Sequence, residues 1–385
     1  MNFELTDEQK MMVDAVRRFV DNDSPISRFR NLRTTEAGYE AKTWKAMADY
    51  GWLAVAFPEE QGGYGGNFVD VALILEQLGR GLVPEPYIAS VVLAGGLLSR
   101  LGTPQQIERF LAPMLEGRTT LAFAYAERQA RYEAADCQTK AVKSASGYTL
   151  TGEKVWVLNG HAADAFVVVA RTSGGPRDAA GLSLFLVDGD APGLERVRVH
   201  GMDGQSTGLV RLSSVEVGAD RLLGSEGHAL ADIEWALDRG AAAACAEAQG
   251  GLGALLAMTV DYLKQRKQFG KAIGSFQALQ HRAADMFAEV ELCRGMMIFA
   301  AIHADSGDEA GRKAAISAAK VQLQQGGWFV QENAVQLFGG IAITDEQDVG
   351  LYFKRIRVLQ SLFGDADWHL GRYASQPGFD GAAAG

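Results

Sequence analysis

With 385 residues, 48% of them apolar, the chain can bury a sizeable core and is too long for one small domain. Its formal net charge of -10 opposes contact with a phosphate backbone, which sets nucleic acid aside as a partner. Three widely spaced cysteines (Cys137, Cys245, Cys293) give no disulfide framework or CxxC spacing, and the six histidines give no metal spacing, so no metal is expected.

The first region, residues 1–117, reads as helical. MNFELTDEQK lacks the apolar core of a signal peptide. No apolar run reaches the roughly 18 residues of a membrane span. A reduced cytoplasmic setting is the expectation. Thr6-Asp7-Glu8-Gln9 is a capping-box signal ahead of the amphipathic stretch MMVDAVRRFV. YEAKTWKAMADYGW, FVDVALILEQLGRG, YIASVVLAGGLLSRLG and PQQIERFLAPMLEG continue the helical pattern, and PEEQGGYGG (58–66) is a glycine-rich loop. The small residues Ala89, Ser90, Ala94, Gly95 and Gly96 suggest a roomy pocket beside this region.

Residues 118–225 change period. TLAFAYAE, QTKAVKSASGYTLTGEKVWVLNG, ADAFVVVART, LSLFLVD, LERVRVHG and VRLSSVEV are β-branched or aromatic and punctuated by Gly, Asp and Ser, which predicts a compact all-β domain. Residues 226–385 are helical again. Four long helical patterns, the last being VGLYFKRIRVLQSLFG, make an antiparallel bundle the simplest packing. The tail PGFDGAAAG is expected to fray. The chain is therefore an α+β multidomain protein, helical at both ends.

Three stretches carry chemistry. In YLKQRKQFGKAIGSFQALQHRAADM, Arg266 has the fork for a pyrophosphate and Phe269 the face for a purine; a charged helix terminus with a buried Phe explains them equally well. In QLFGGIAITDE, Gln336 precedes Gly339-Gly340, which either approach a phosphate or end a helix. In SLFGDADW, Asp365 and Asp367 are either caps of the final helix or acids placed to take a proton.

Taken in order, PEEQGGYGG, GEKVWVLNG, YLKQRKQFGKAIGSFQALQHRAADM and NAVQLFGG resemble the acyl-CoA dehydrogenase family over almost the whole chain. That resemblance implies an N-terminal α-helical domain, a middle β-barrel domain and a C-terminal four-helix bundle. AFAYAERQARYEAADCQTKA, CAEAQG and SLFGDADWHL look most like the small subunits of pimeloyl-CoA-dehydrogenase-type enzymes.

The resemblance implies FAD, an acyl-CoA substrate and an electron-transfer flavoprotein as acceptor. Arg266, Gln268, Phe269, Gln336, Gly339 and Gly340 match the half-site for the adenosine and pyrophosphate of a neighbour's FAD, which implies a homo- or hetero-oligomer, dimer or tetramer. Phe123, Tyr125, Trp156 and Leu158 fall on the flavin side. There the chain departs from the family. Its usual Thr-Glu-Pro-x-x-Gly-Ser-Asp reads Ala126-Glu127-Arg128-Gln129-Ala130-Arg131-Tyr132-Glu133, and a second family Thr is Leu158. Arg128 and Arg131 are either substitutes that bind flavin or CoA phosphate, or surface arginines.

The family's reaction is α,β-dehydrogenation of an acyl thioester, in which a carboxylate takes the α-proton. Its usual Glu falls on Gly364, which leaves Asp365 one residue later as the first candidate base. The alternative family position is Gly240, followed by Ala241 where an Arg is usual; Glu247, two turns further along the same helix face, is the second candidate. Two other readings stay open. One is a structural subunit that completes another chain's FAD site. The other is a flavin oxidase or monooxygenase.

Overall fold

The computed structural model describes residues 5–376; the tail expected to fray lies outside them. Helix α1 (Asp7–Asp23) starts at the predicted capping box, where Thr6 Oγ1 accepts the Gln9 N–H at 3.2 Å and Gln9 Oε1 accepts the Thr6 N–H at 3.1 Å. Helices α2 (Ile26–Leu32), α3 (Ala41–Asp49) and α4 (Phe68–Arg80) follow. A π-helical stretch, Ile88–Gly95, runs into α5 (Gly96–Leu101). A second π turn joins α6 (Pro104–Gln106) to α7 (Ala112–Leu115).

The π-helix corrects one expectation. Ser90 Oγ donates to the Leu121 carbonyl at 2.8 Å and accepts the Leu121 N–H at 3.0 Å, which staples the helix to the first strand. A Cβ on Gly95 would come within 2.6 Å of the Ser90 carbonyl, and one on Gly96 within 3.5 Å of Trp235. Of the five small residues, Ala89 alone lines the large cavity; the rest permit close packing.

The middle region is one eight-stranded sheet. Its strands are β1 (Leu121–Ala124), β2 (Lys140–Lys143), β3 (Gly147–Leu158), β4 (Ala165–Arg171), β5 (Leu182–Asp188), β6 (Leu194–His200), β7 (Ser206–Gly218) and β8 (Leu222–Leu223). The order is β6-β7-β3-β2-β4-β5-β8, with β1 parallel to β4. Strand β4 is buried on both faces. Phe166, Val168 and Ala170 join the sheet's own core with Tyr148, Leu150 and Phe185. Ala165, Val167 and Val169 point the other way, into the core shared with the helices. Strands β1 and β5 divide their residues in the same fashion.

The last region holds α8 (Leu230–Gln265), α9 (Gln277–Ala304), α10 (Glu309–Phe338), α11 (Val349–Ser361) and α12 (Ala366–Ala374). The fourth bundle helix, α11, is short at 13 residues. It stops where the buried Lys320 ammonium caps its last turn, donating to the carbonyls of Leu359 (2.8 Å), Gln360 (3.0 Å) and Leu362 (2.7 Å). Among the described helices, α8 matches a membrane span in length and mean hydropathy, but 72% of that stretch is buried inside the protein.

Helix α4 packs on α8 through two glycines. A Cβ on Gly79 would sit 1.9 Å from the Glu247 carbonyl, and one on Gly250 would sit 1.8 Å from the Glu76 carbonyl. The run AAAACAEAQGG is thus small because another helix backbone lies against it. Between α8 and α9, β9 (Lys267–Gln268) and β10 (Lys271–Ala272) form a hairpin. Its two turn residues, Phe269 (φ 52°) and Gly270 (φ 82°), both take positive φ, as a type I′ turn requires.

Candidate functional site

The helical front, the sheet and the rear bundle meet around a cavity of about 890 Å³. Phe123, Tyr125, Trp156, Leu158, Glu247 and Asp365 all line it. The Phe123 and Tyr125 rings stack at 5.2 Å. Trp156 comes from an irregularity in β3, where the pairing with β7 shifts between Lys154 and Val157. Its φ of 53° and 62% exposure mark a side chain turned out of the ladder into the cavity mouth.

Behind β1, Glu127 binds the fully buried Lys154 at 2.8 Å and accepts from the Thr139 hydroxyl and N–H. Burial raises the Glu127 pKa, but the Lys154 charge and the hydrogen bonds from Lys154, Thr139 and Gln129 outweigh it and hold the carboxyl at about 2. This pair fixes the chain where it leaves β1 for the segment that replaces the family's Thr-Glu-Pro motif.

Three polar atoms of cavity residues are buried without a partner among the described residues: Asn159 Nδ2, His161 Nδ1 and Thr207 Oγ1. Asn159 follows Leu158 and holds φ 57°. Orphaned polar groups in a cavity wall are what a polar ligand edge would satisfy.

The candidate bases are both brought to this cavity, in different settings. Asp365 caps α12, accepting the Trp368 N–H at 3.0 Å. Burial and then the Asp365 charge raise the pKa of Tyr132, which stands where the family has a small Ser. Gly364 holds φ 116°, and a Cβ there would lie 2.5 Å from Trp368 Cε3 and 2.6 Å from His369 Nε2. The left-handed backbone and the rings of Trp368 and His369 therefore oppose any side chain at the position where the resemblance places the base. At Gly240 a Cβ would stand 3.0 Å from Leu93 and Phe363.

Glu247 is engaged. Its Oε1 accepts from Arg355 Nε at 2.6 Å, and Arg355 Nη1 donates to Asp203 Oδ2 at 2.7 Å. Burial lowers the Arg355 pKa, and the two carboxylates more than reverse that, so the guanidinium stays charged. Arg355 and Asp203 lie 108 and 152 residues apart from their partners, so no local pattern pairs them. Lys320 and His369 were equally hidden, because a lone Lys in a helical pattern reads as surface.

The other predicted residues lie on the outside. Arg266, Gln268, Phe269, Gln336, Gly339 and Gly340 are all exposed, Phe269 by 90%. The Phe was expected to be buried if this were an ordinary helix terminus; it is not. Space is open at Gly270, Gly339 and Gly340, where an added Cβ would meet nothing within 4 Å. Arg128 and Arg131 both line the cavity: Arg128 is largely exposed and pairs with Glu153 at 3.1 Å, and Arg131 holds φ 49°. Among the described residues no group of three His, Cys, Asp or Glu is placed to hold a metal.

Profiles of three domains match in order: "Acyl-CoA dehydrogenase, N-terminal domain" over residues 6–118, "middle domain" over 122–215 and "C-terminal domain" over 228–376. The chain is 32% identical over 365 residues to the probable acyl-CoA dehydrogenase YngJ of Bacillus subtilis, covering 94% of this chain and 95% of that one. Among solved structures it is similar to one of the ChsE4-ChsE5 complex from Mycobacterium tuberculosis (TM-score 0.86, 28% identity, 97% of each chain). It is also similar to an FAD complex of PigA (TM-score 0.88, 26% identity, 97% and 98% covered).

Proposed function

This chain belongs to the acyl-CoA dehydrogenase family, whose cofactor is FAD, and from that premise we propose that it is one subunit of an oligomeric acyl-CoA dehydrogenase. The observation that carries the reading is the cavity where Phe123, Tyr125, Trp156, Leu158 and both candidate carboxylates converge. The residues fit a flavin: unpaired Asn159, His161 and Thr207 atoms lie in its wall. The exposed Arg266 fork and the open glycines at 339 and 340 suit the pyrophosphate of a cofactor held mainly by a neighbour. When bound, FAD supplies an acceptor for the β-hydrogen as hydride.

The chain's own residues do the rest. Phe123, Tyr125 and Trp156 line the cavity with aromatic surface that excludes water and holds a flat ring system. Asp365 is assigned as the group that takes the α-proton, because it lines the cavity beside the blocked Gly364 position. Glu247 is second, since its carboxylate already serves Arg355. The electrons pass on to an electron-transfer flavoprotein. The likeness to pimeloyl-type small subunits is part of this proposal as regards assembly.

A second reading is favoured by the closed Gly364 position and by the two carboxylates being held as cap and ion pair. In it, the chain is a non-catalytic partner that completes another subunit's FAD site. Counting flavin per chain, then adding acyl-CoA thioesters without oxygen and following flavin absorbance, separates the two. The first reading expects bound flavin that is bleached by substrate, and bleaching lost in Asp365→Asn. Flavin retained by the oligomer but not bleached until a second type of chain is added would establish the partner role instead. No flavin in any assembly would end both.

A further inference from the structure

The floor of the cavity carries a donor and an acceptor with no assigned use. Arg355 is 8% exposed and Glu247 is 7% exposed, and both line the cavity. Glu247 spends Oε1 on Arg355 Nε, and Arg355 spends Nη1 on Asp203, which also accepts the Gln205 N–H at 3.1 Å. Glu247 Oε2 and Arg355 Nη2 have no hydrogen-bond partner among the described residues. The same cavity is also lined by the apolar Leu75, Leu78 and Val358. The loss of either polar partner inside such a site is costly, and a ligand that meets both is strongly preferred over one that meets neither.

We propose that this ion triple selects acyl thioesters whose acyl group carries a hydroxyl remote from the thioester, the hydroxyl donating to Glu247 Oε2 and accepting from Arg355 Nη2. The inference rests on the acyl-thioester reading given above. A hydroxyl is the smallest group that answers both atoms at once. A plain hydrocarbon tail covers the pair and satisfies neither. Beside Arg355 a distal carboxylate is opposed by charge, because Asp203 and Glu247 already share that one arginine. A third carboxylate beside the Arg355 triple would add a second uncompensated negative charge in a buried wall. This disfavours dicarboxylyl substrates. It also gives Glu247 a role other than proton removal.

The test uses the FAD-loaded oligomer. Matched acyl-CoA, hydroxyacyl-CoA and distal-carboxyl acyl-CoA thioesters, over a series of chain lengths, are titrated while the flavin spectrum is followed. Thermal stabilisation by each ligand gives a second readout independent of turnover. At the best chain length the hydroxyl compound is expected to bind about tenfold or more tightly than its plain counterpart, the scale of a hydrogen bond to a charged group. The carboxyl compound is expected to be the weakest of the three. Glu247→Gln should reduce the hydroxyl preference, the ratio of hydroxyl to plain thioester affinity, to a few-fold. Equal binding of hydroxyl and plain thioesters at every length overturns the inference and leaves the acyl-CoA reading intact. Failure of every thioester to bind strikes the acyl-CoA reading itself. The parent protein's series decides the matter even where Glu247→Gln does not fold.

Discussion

His369 is completely buried, with Nε2 donating to the Phe363 carbonyl at 3.1 Å and Nδ1 facing Ser317 Oγ at 3.2 Å. Burial, then the charges of Lys320 and Arg372, push its pKa down from 6.5 to about 2, so the ring stays neutral in the fold. In the unfolded chain it regains its ordinary pKa. Between about 6.5 and 2 the unfolded state therefore binds the extra proton, and stability falls as pH drops through that window. One such proton contributes a slope of up to about 1.4 kcal/mol per pH unit. His161, also lowered chiefly by burial, adds to the same fall, and Glu127 joins below 4.5. Urea unfolding between pH 5 and 7 should show a shallower pH slope in His369→Gln than in the parent. An identical slope in the two proteins would remove His369 from the account. Sequence disclosed part of this scale. Asp365 beside Gly364 was readable as a cap, because Asp before a helical stretch is a local signal. The fates of Glu247, Lys320 and His369 were not readable, because each is decided by a group from another element.

The helix pair α4 and α8 shows what the elements do with small residues. Gly79 and Gly250 let the two backbones touch, and that contact sets Glu247 against the cavity. Gly250→Ala is expected to cost about 1–3 kcal/mol by overpacking, which outweighs the ~1 kcal/mol that Ala gains over Gly in a helix. Gly253, one turn on, meets nothing within 4 Å, so Gly253→Ala should show the helix gain alone and stabilise. Opposite signs in denaturant midpoints would support the crossing; equal signs would refute it. Most strands and long helices were visible in the sequence, by periodicity where one face is buried and as short apolar runs in the two-faced β1, β4 and β5. The exceptions are instructive. Helix α2 has seven residues, too few for a pattern. The π-helix shares its composition with an α-helix and is set by Ser90 bonding to β1. Strands β8, β9 and β10 are two residues each, defined by their partners and not by their own sequence.

At the scale of the molecule, the two parts of the proposed cofactor site lie apart on a single chain. The cavity is internal, while Arg266, Phe269, Gln336 and Gly340 face outward from the hairpin and the end of α10. The Arg266 backbone bonds to Tyr262 and Ile273, but its guanidinium makes no hydrogen bond or ion pair among the described residues, so Arg266→Ala should leave the fold and its melting in the flavin-free state unchanged. Flavin retained after gel filtration should fall several-fold or more, since a forked contact to a phosphate group is lost. Unaltered flavin content would remove the outer half-site from the reading. The motif order made this arrangement legible as a resemblance; the exposure of Phe269 now distinguishes it from a buried helix end.

The double-faced strands β1, β4 and β5 bear on how the protein comes apart. Each contributes alternate residues to two cores, so neither core can lose its order while the other keeps its own. A polypeptide limited to the sheet would bare Leu121, Phe123, Val167, Leu184 and Leu186 as one continuous greasy stripe and would aggregate. Cutting the chain at the sequence boundaries of its three profiles would therefore yield no independent pieces. In calorimetry the helical front and the sheet are bound to melt as a single cooperative unit.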